Sequence, residues 1–320
     1  MHMKTYLVLP ALVLLCACGA RGGKAVSDAP AKRSFPNVEI PSMYTDDQER
    51  GAWIADHLWD RFTDTSKVYH CDSLTVNGVP LAEVESRMGL FATLIGQMPL
   101  ENGKRAVARL YDQVDAFERK YPDSNVFEEI GRLTRHYLYD PNSPVRNDDL
   151  YLPFVARLAE SDLVDEGYRM GYGWDARMCG LNGVGTPAAD FAFTDTRGRV
   201  RTLYGVKADY TVLIFANPGC KACRDITAAM KASPAISALV ESGRVKVVDV
   251  YIDQEIDDWK AHIADYPADW INGYDHDYKI RTDLVYSVRG IPSIYLLDKD
   301  KTVLMKDAPE DLVLGALENL

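Results

Sequence analysis

The chain changes rhythm part-way along. Between Pro41 and Gly180, apolar residues recur at helical spacing. In "ADHLWDRF", Leu58 and Phe62 stand four apart. Between Lys104 and Lys120, Val107, Leu110, Val114 and Phe117 recur at three and four, and Pro122 closes the run. Phe127, Ile130, Leu133 and Tyr137 repeat the pattern until Pro141. Such spacing gathers apolar side chains on one helix face, so this half is predicted to be a helical packing module. "DPNSPVRND" interrupts it with two prolines, and a further helix is predicted over Tyr151–Leu158.

At "GLNGVGTPAADF", Gly180–Phe191, glycine and proline cluster and the period shortens, which places a domain boundary near Gly183. A strand is predicted through Phe193, a turn at Arg197-Gly198 and a second strand through Val200 and Leu203. "YTVLIFA", Tyr210–Ala216, and "VKVVDVYID", Val245–Asp253, are continuous apolar runs, as strands covered on both faces require. A helix should open near Cys220. Ser233-Pro234 should cap and restart a helix, and Asp253 should cap the helix holding Ile256, Trp259 and Ile263. "GIPSIYLLD", Gly290–Asp298, then "TVLMKD", gives a hairpin, and Glu310–Leu320 a closing helix. The predicted fold is α/β: a C-terminal mixed sheet flanked by helices, preceded by a mostly α-helical domain. The organisation expected is 1–17, 18–40, 41–183 and 184–320.

The first two of those segments follow from composition. Lys4 precedes an apolar run, Tyr6–Leu15, too short to span a bilayer but suited to a secretion signal. The run ends in "LCAC", Leu15–Cys18, which resembles the bacterial lipobox. The resemblance implies that Cys18 carries lipid, that Cys16 leaves with the signal over 1–17, and that multiple acyl chains hold the protein firmly to the bilayer. Gly19 after it implies sorting to the outer membrane, facing the periplasm. A plain secretory signal with incidental cysteines is the alternative. Residues 18–40 are small, polar and proline-bearing, as a flexible tether is. The 320 residues carry a net charge of −11, which repels nucleic acid and anionic headgroups. No nucleic-acid partner is expected.

Candidate chemistry centres on "FANPGCKACRDI", Phe215–Ile226. Zinc is one reading of Cys220 and Cys223, but no further cysteine follows, and His262 and His276 lie too far apart for a ligand pair. A permanent staple is another, but so short a loop constrains the unfolded chain little. A redox pair explains more. A buried strand would deliver Cys220 to a helix N-terminus, where free N–H groups favour the thiolate. Lys221 and Arg224 would add positive charge, and Cys223 would lie one turn deeper, placed to resolve a mixed disulfide. Elsewhere, His57 and Asp60 near His70 and Cys71 lack the spacing of a usual metal site. Cys71 and Cys179 are read either as a disulfide or as buried free thiols.

With these residues in hand, the C-terminal part from about Val184 to Leu320 resembles the thioredoxin-like superfamily, and within it the membrane-tethered TlpA-like thiol–disulfide oxidoreductases. "GTPAADFAFTDTRG", "VLIFANPGCKAC" and "GIPSIYLLDKD" carry the resemblance. It implies that Pro292 follows a cis peptide bond beside the cysteine pair and exposes the backbone of Ile291 to an extended substrate. It implies Cys220, Cys223 and Pro292 as catalytic residues, protein disulfides or thiols as substrates, and no dissociable cofactor. In the reductive direction, a membrane electron donor must restore the dithiol. The chain departs from the family pattern at Gly219, where tryptophan is usual, and at Ile214 and Ile226, where relatives place a buried acid. No equivalent carboxylate is evident. A non-catalytic scaffold on the same frame is therefore the alternative. A peroxidase is disfavoured by Asn217 where such enzymes place threonine or serine. "HLWDRF", "LYDPNSPVRND" and "LNGVGTPAADF" resemble a domain of unknown function found ahead of thioredoxin-like domains in Gram-negative lipoproteins, with no activity attached.

Overall fold

Why the helical half folds as it does is visible in its core. In the computed structural model, which describes residues 33–320, Val107, Leu110, Val114 and Phe117 are fully buried on one face of α3 (Leu100–Lys120). They pack with residues from α1 (Asp47–His57), α2 (Leu81–Gly96), α4 (Val126–Leu138) and α5 (Asp148–Glu160) around the aromatic group Trp59, Phe62, Phe91 and Phe154. A small hairpin, β1 (Thr75–Val76) and β2 (Val79–Pro80), sits between α1 and α2. α6 (Glu166–Cys179) lies along α5 and ends this half.

Residues 1–32, which hold the expected signal, Cys18 and most of the tether, lie outside the described residues. The tether expectation to residue 40 fails at its end. Phe35 is buried and stacks on Phe62, with ring centroids 5.1 Å apart, while Arg33 Nε donates to the Asn77 carbonyl. A single aromatic anchor has no periodicity to read.

The second half is one seven-stranded mixed sheet in the order β4-β3-β7-β6-β5-β8-β9. It comprises β3 (Ala192–Asp195), β4 (Val200–Thr202), β5 (Tyr210–Phe215), β6 (Val245–Tyr251), β7 (Ile271–Tyr274), β8 (Ser293–Asp298) and β9 (Val303–Met305). β5, β6 and β7 are parallel, while β8 runs antiparallel to β5. Val212, Ile214, Val245 and Val247 face one core, with α7 (Lys221–Ala232), α8 (Pro234–Glu241) and α11 (Glu310–Glu318). Leu213, Phe215, Val248 and Val250 face the other. Burial on both faces is why these strands read as continuous apolar runs.

Three sequence expectations need correction here. α8 restarts at Pro234, but the Ser233 hydroxyl donates to Glu318 Oε1 at 2.8 Å and does not cap it. β7 was not anticipated: it is four residues long and contains Asn272-Gly273, which reads as a turn. Gly273 is required there because a Cβ would lie 2.6 Å from Phe193 and 2.7 Å from the Thr194 carbonyl. Nor does Asp253 cap the helix after β6. α9 (Ile256–Ala261) begins after Glu255 without a side-chain cap, and Asp253 instead pairs with Arg281, 2.6 Å away, beside the short α10 (Lys279–Thr282).

Buried charges join the halves. Lys306 Nζ donates to the Cys179 carbonyl at 2.5 Å and lies 3.8 Å from Asp148. Arg289 pairs with Asp148, donates to the Tyr139 carbonyl and stacks over the Tyr139 ring. Burial lifts the Asp148 carboxyl to about 6 even though Arg289 and Lys306 pull it down. Cys179 and Cys71 are both free thiols. Cys179 is buried, and desolvation raises its thiol far above the usual range. His57 and Asp60 pair with each other at 2.7 Å.

Candidate redox site

β5 ends at Phe215, and "ANPG" turns the chain into α7 with Cys220 as its N-cap. Gly219 makes the turn possible: its φ is +75°, a region that L side chains rarely adopt. Cys220 and Cys223 are joined as a disulfide, with Cα atoms 5.3 Å apart. The Cys223 N–H donates to Cys220 Sγ at 3.1 Å. The cap position thus gives the outer sulfur one of the helix's unpaired amides. Cys220 is partly exposed, whereas Cys223 is 8% exposed and packs on Ile226 and the sheet.

The Ile291–Pro292 peptide is cis, and the Ile291 carbonyl oxygen approaches Cys220 Sγ to 3.8 Å. The two cysteines, Ile291 and Pro292 are thus brought together from β5–α7 and the start of β8. Lys221 is not aimed at the sulfurs: its ammonium is held by Asp225 Oδ2 at 2.6 Å on the next turn. Arg224 instead lines the same cavity as both cysteines.

That cavity, of about 500 Å³, contains a residue the sequence reading missed. Asp249, in the middle of β6, lines it together with Cys220 and Cys223. Side chains alternate along a strand, so Asp249 shares the face of Val245 and Val247, which pack in the same core as Cys223. The carboxyl is 4% exposed and its Oδ1 has no hydrogen-bond partner among the described residues. Burial alone pushes it up to about 7. The sequence signal was a lone acid inside the apolar run "VKVVDVY".

Comparison with known proteins bears on the fold. Residues 17–172 match a family model described as a domain of unknown function, DUF5106. A thioredoxin-like protein from Bacteroides caccae superposes with a TM-score of 0.76 at 31% identity, over 89% of this chain and 98% of that one. The chain belongs to the thioredoxin-like proteins. Over its C-terminal part it is also similar to the C-terminal domain of an uncharacterised protein from Bacteroides fragilis. That match is 43% identical and covers 42% of this chain and 97% of that one, with a TM-score of 0.41. No curated protein sequence matches.

Within this thioredoxin-like site the departures acquire physical reasons. Ile214 and Asp249 are register partners on neighbouring parallel strands. Asp249 thus places a carboxyl one strand over from the Ile214 position. No equivalent of the usual acid is evident along the chain, and the sheet places this carboxyl in the wall of the cavity that holds both cysteines. Ile226 is buried in the core between α7 and the sheet. The position of the usual tryptophan, Gly219, opens to solvent with nothing within 4 Å of where a Cβ would stand. Asn217 donates to Asp253 through its amide.

Proposed function

We propose that this thioredoxin-like chain is a thiol–disulfide oxidoreductase acting on protein substrates, anchored by lipid on Cys18 to the outer membrane and facing the periplasm. Residues 1–17 are the signal in this reading. The observation that carries it is the placement of Cys220: a partly exposed sulfur at a helix N-cap, with Cys223 one turn below and the cis Ile291–Pro292 loop beside it. In the reduced form the helix N-terminus favours the Cys220 thiolate.

The thiolate attacks a substrate disulfide. A bond forms between Cys220 Sγ and one substrate sulfur, and the other leaves as a thiolate and takes a proton from solvent. Asp249, across the shared cavity, accepts the Cys223 proton. Cys223 then attacks Cys220 Sγ, and the second substrate sulfur leaves as a thiolate and takes a proton from solvent. Two electrons pass to the substrate, and the Cys220–Cys223 disulfide remains. A membrane-borne dithiol donor would restore it, because the compartment is otherwise oxidising.

The test is reduction of insulin by dithiothreitol in the presence of the protein. Cys220→Ser should abolish the stimulation, and Cys223→Ser should accumulate mixed disulfides visible on non-reducing gels. A Cys220→Ser protein as active as the parent ends this reading. Cys18→Ser should move the protein from the membrane to the soluble envelope fraction, and an unchanged distribution refutes the anchor.

A further inference from the structure

On the Ile291–Pro292 side of the disulfide lies a second, larger groove of about 680 Å³. Its walls come from different halves of the chain. One wall holds Ala222, which stands between the cysteines, the Ile291–Pro292 loop and the first turn of α11. The other is Pro141, Asn142 and Pro144 from the loop joining α4 to α5.

The helical wall is held in place. Gly290 lets it approach: a Cβ there would lie 3.1 Å from Pro141 Cβ. Arg146 donates to the carbonyls of Asp307 and Ala308 at 3.1 and 3.2 Å. Arg289, two residues before Ile291, pairs with Asp148 at the start of α5. The same loop that breaks the helical pattern in the sequence is therefore fastened next to the reacting sulfur.

Two features say what fits. Ile291 enters no backbone ladder among the described residues, so its amide and carbonyl can pair with an extended chain laid along the groove. The charge at the rim is negative. Arg146 and Arg289 are engaged by Asp307 and Asp148. Glu310 and Asp311 stand exposed at the first turn of α11 and enter no ion pair among the described residues. Acids suit a helix N-terminus on their own account, but these two border the space beside Pro292. The chain's own charge of −11 argues against a second copy as occupant.

We infer that the two halves together form a docking groove for an extended segment of another protein carrying lysine or arginine beside its disulfide-bonded cysteine, and that the 141–146 loop of the helical half is part of the recognition surface. This deepens the thiol–disulfide reading and rests on it.

The experiment compares three disulfide-bridged peptides that differ only in the residues flanking cysteine: arginines, alanines or glutamates. The reduced full-length protein, in excess at low ionic strength, reduces each in a single turnover, and the second-order rate constant is followed as free thiol released. The arginine peptide should exceed the glutamate peptide about tenfold, and the ratio should fall towards one at roughly 0.5 M salt. The ratio taken within one preparation does not depend on how much of a variant folds. Glu310→Lys with Asp311→Lys should invert it, and Asn142→Lys, on the helical wall, should lower it several-fold. Equal rates for all three peptides overturn the groove while leaving thiol chemistry standing. Inversion by the α11 variant with no effect of Asn142→Lys overturns the part given to the helical half. No turnover of any peptide overturns the groove, and loss of hydroxyethyl disulfide reduction as well overturns the redox reading beneath it.

Discussion

Asp249→Asn should stabilise the oxidised protein, and by more as pH rises. The side chain lies 4% exposed in the middle of β6, its Oδ1 without a partner, and burial alone lifts its carboxyl from 3.8 to about 7. Below pH 3.8 both folded and unfolded chains hold the proton. Between 3.8 and 7 the unfolded chain has released it while the folded chain keeps it, so stability falls as pH rises. Above 7 both are ionised and the loss is complete. At 1.36 kcal/mol per pH unit the full loss is about 4 kcal/mol, of which about 3 kcal/mol falls between pH 5 and pH 8. Asparagine keeps the shape and does not titrate. Urea unfolding of both oxidised proteins at pH 5, 6, 7 and 8 reads the effect as the gap between two curves. The carboxyls of Asp148 and Asp307, also raised by burial, titrate in both proteins and cancel in that gap. The variant should gain about 3 kcal/mol on the parent across the range. A constant gap, or one that closes with rising pH, means that Asp249 has a charge or hydrogen-bond partner and refutes the argument.

Other outcomes follow from neighbouring contacts. If Asp249 takes the Cys223 proton, Asp249→Asn should slow resolution of a preformed Cys220 mixed disulfide by about a hundredfold at pH 7; equal single-turnover rates would remove the acid from the mechanism. Arg289→Met leaves the buried Asp148 and Asp307 short of a counter-charge and should cost about 3 kcal/mol in urea unfolding. A loss below 1 kcal/mol would mean that Lys306 suffices. Gly273→Ala forces a methyl against Phe193 and the Thr194 carbonyl. It should cost about 2–3 kcal/mol and lower the thermal midpoint, and an unchanged midpoint would show that the β3–β7 pairing yields freely.

The sequence carried the redox half well because its signals are local. A strand covered on both faces must be apolar along its length, so β5, β6 and β8 announced themselves, and the cysteine spacing marked the helix that follows β5. What was illegible depends on which strands become neighbours. β7 is short and polar at its centre, and its place beside β6 is set by the close approach of Gly273 to β3. Asp249 lies 26 residues after Cys223 in the chain, and only the parallel pairing of β5 with β6 puts it opposite Ile214. A search for an acid at fixed distances from the cysteines looks along the chain, whereas the sheet brings this carboxyl to their cavity across the chain. Phe35 was hidden for the same reason: nothing before it predicts that its ring stacks on Phe62.

The charges between the halves bear on what the helical half is for. Burying Lys306, Asp148 and Asp307 with the partly buried Arg289 gains little stability over well-packed apolar residues, because desolvation offsets most of the Coulomb attraction. What such a set supplies is a single acceptable alignment, since any slip of the loop against β9 would leave a buried charge unpaired. The alignment it enforces is that of Pro141 against Gly290, one residue from Ile291. A helical half serving only as a spacer from the membrane would need no fixed alignment with the cis-proline loop. A helical half that forms one side of the substrate groove needs that alignment held, and these ion pairs lie where they can hold it.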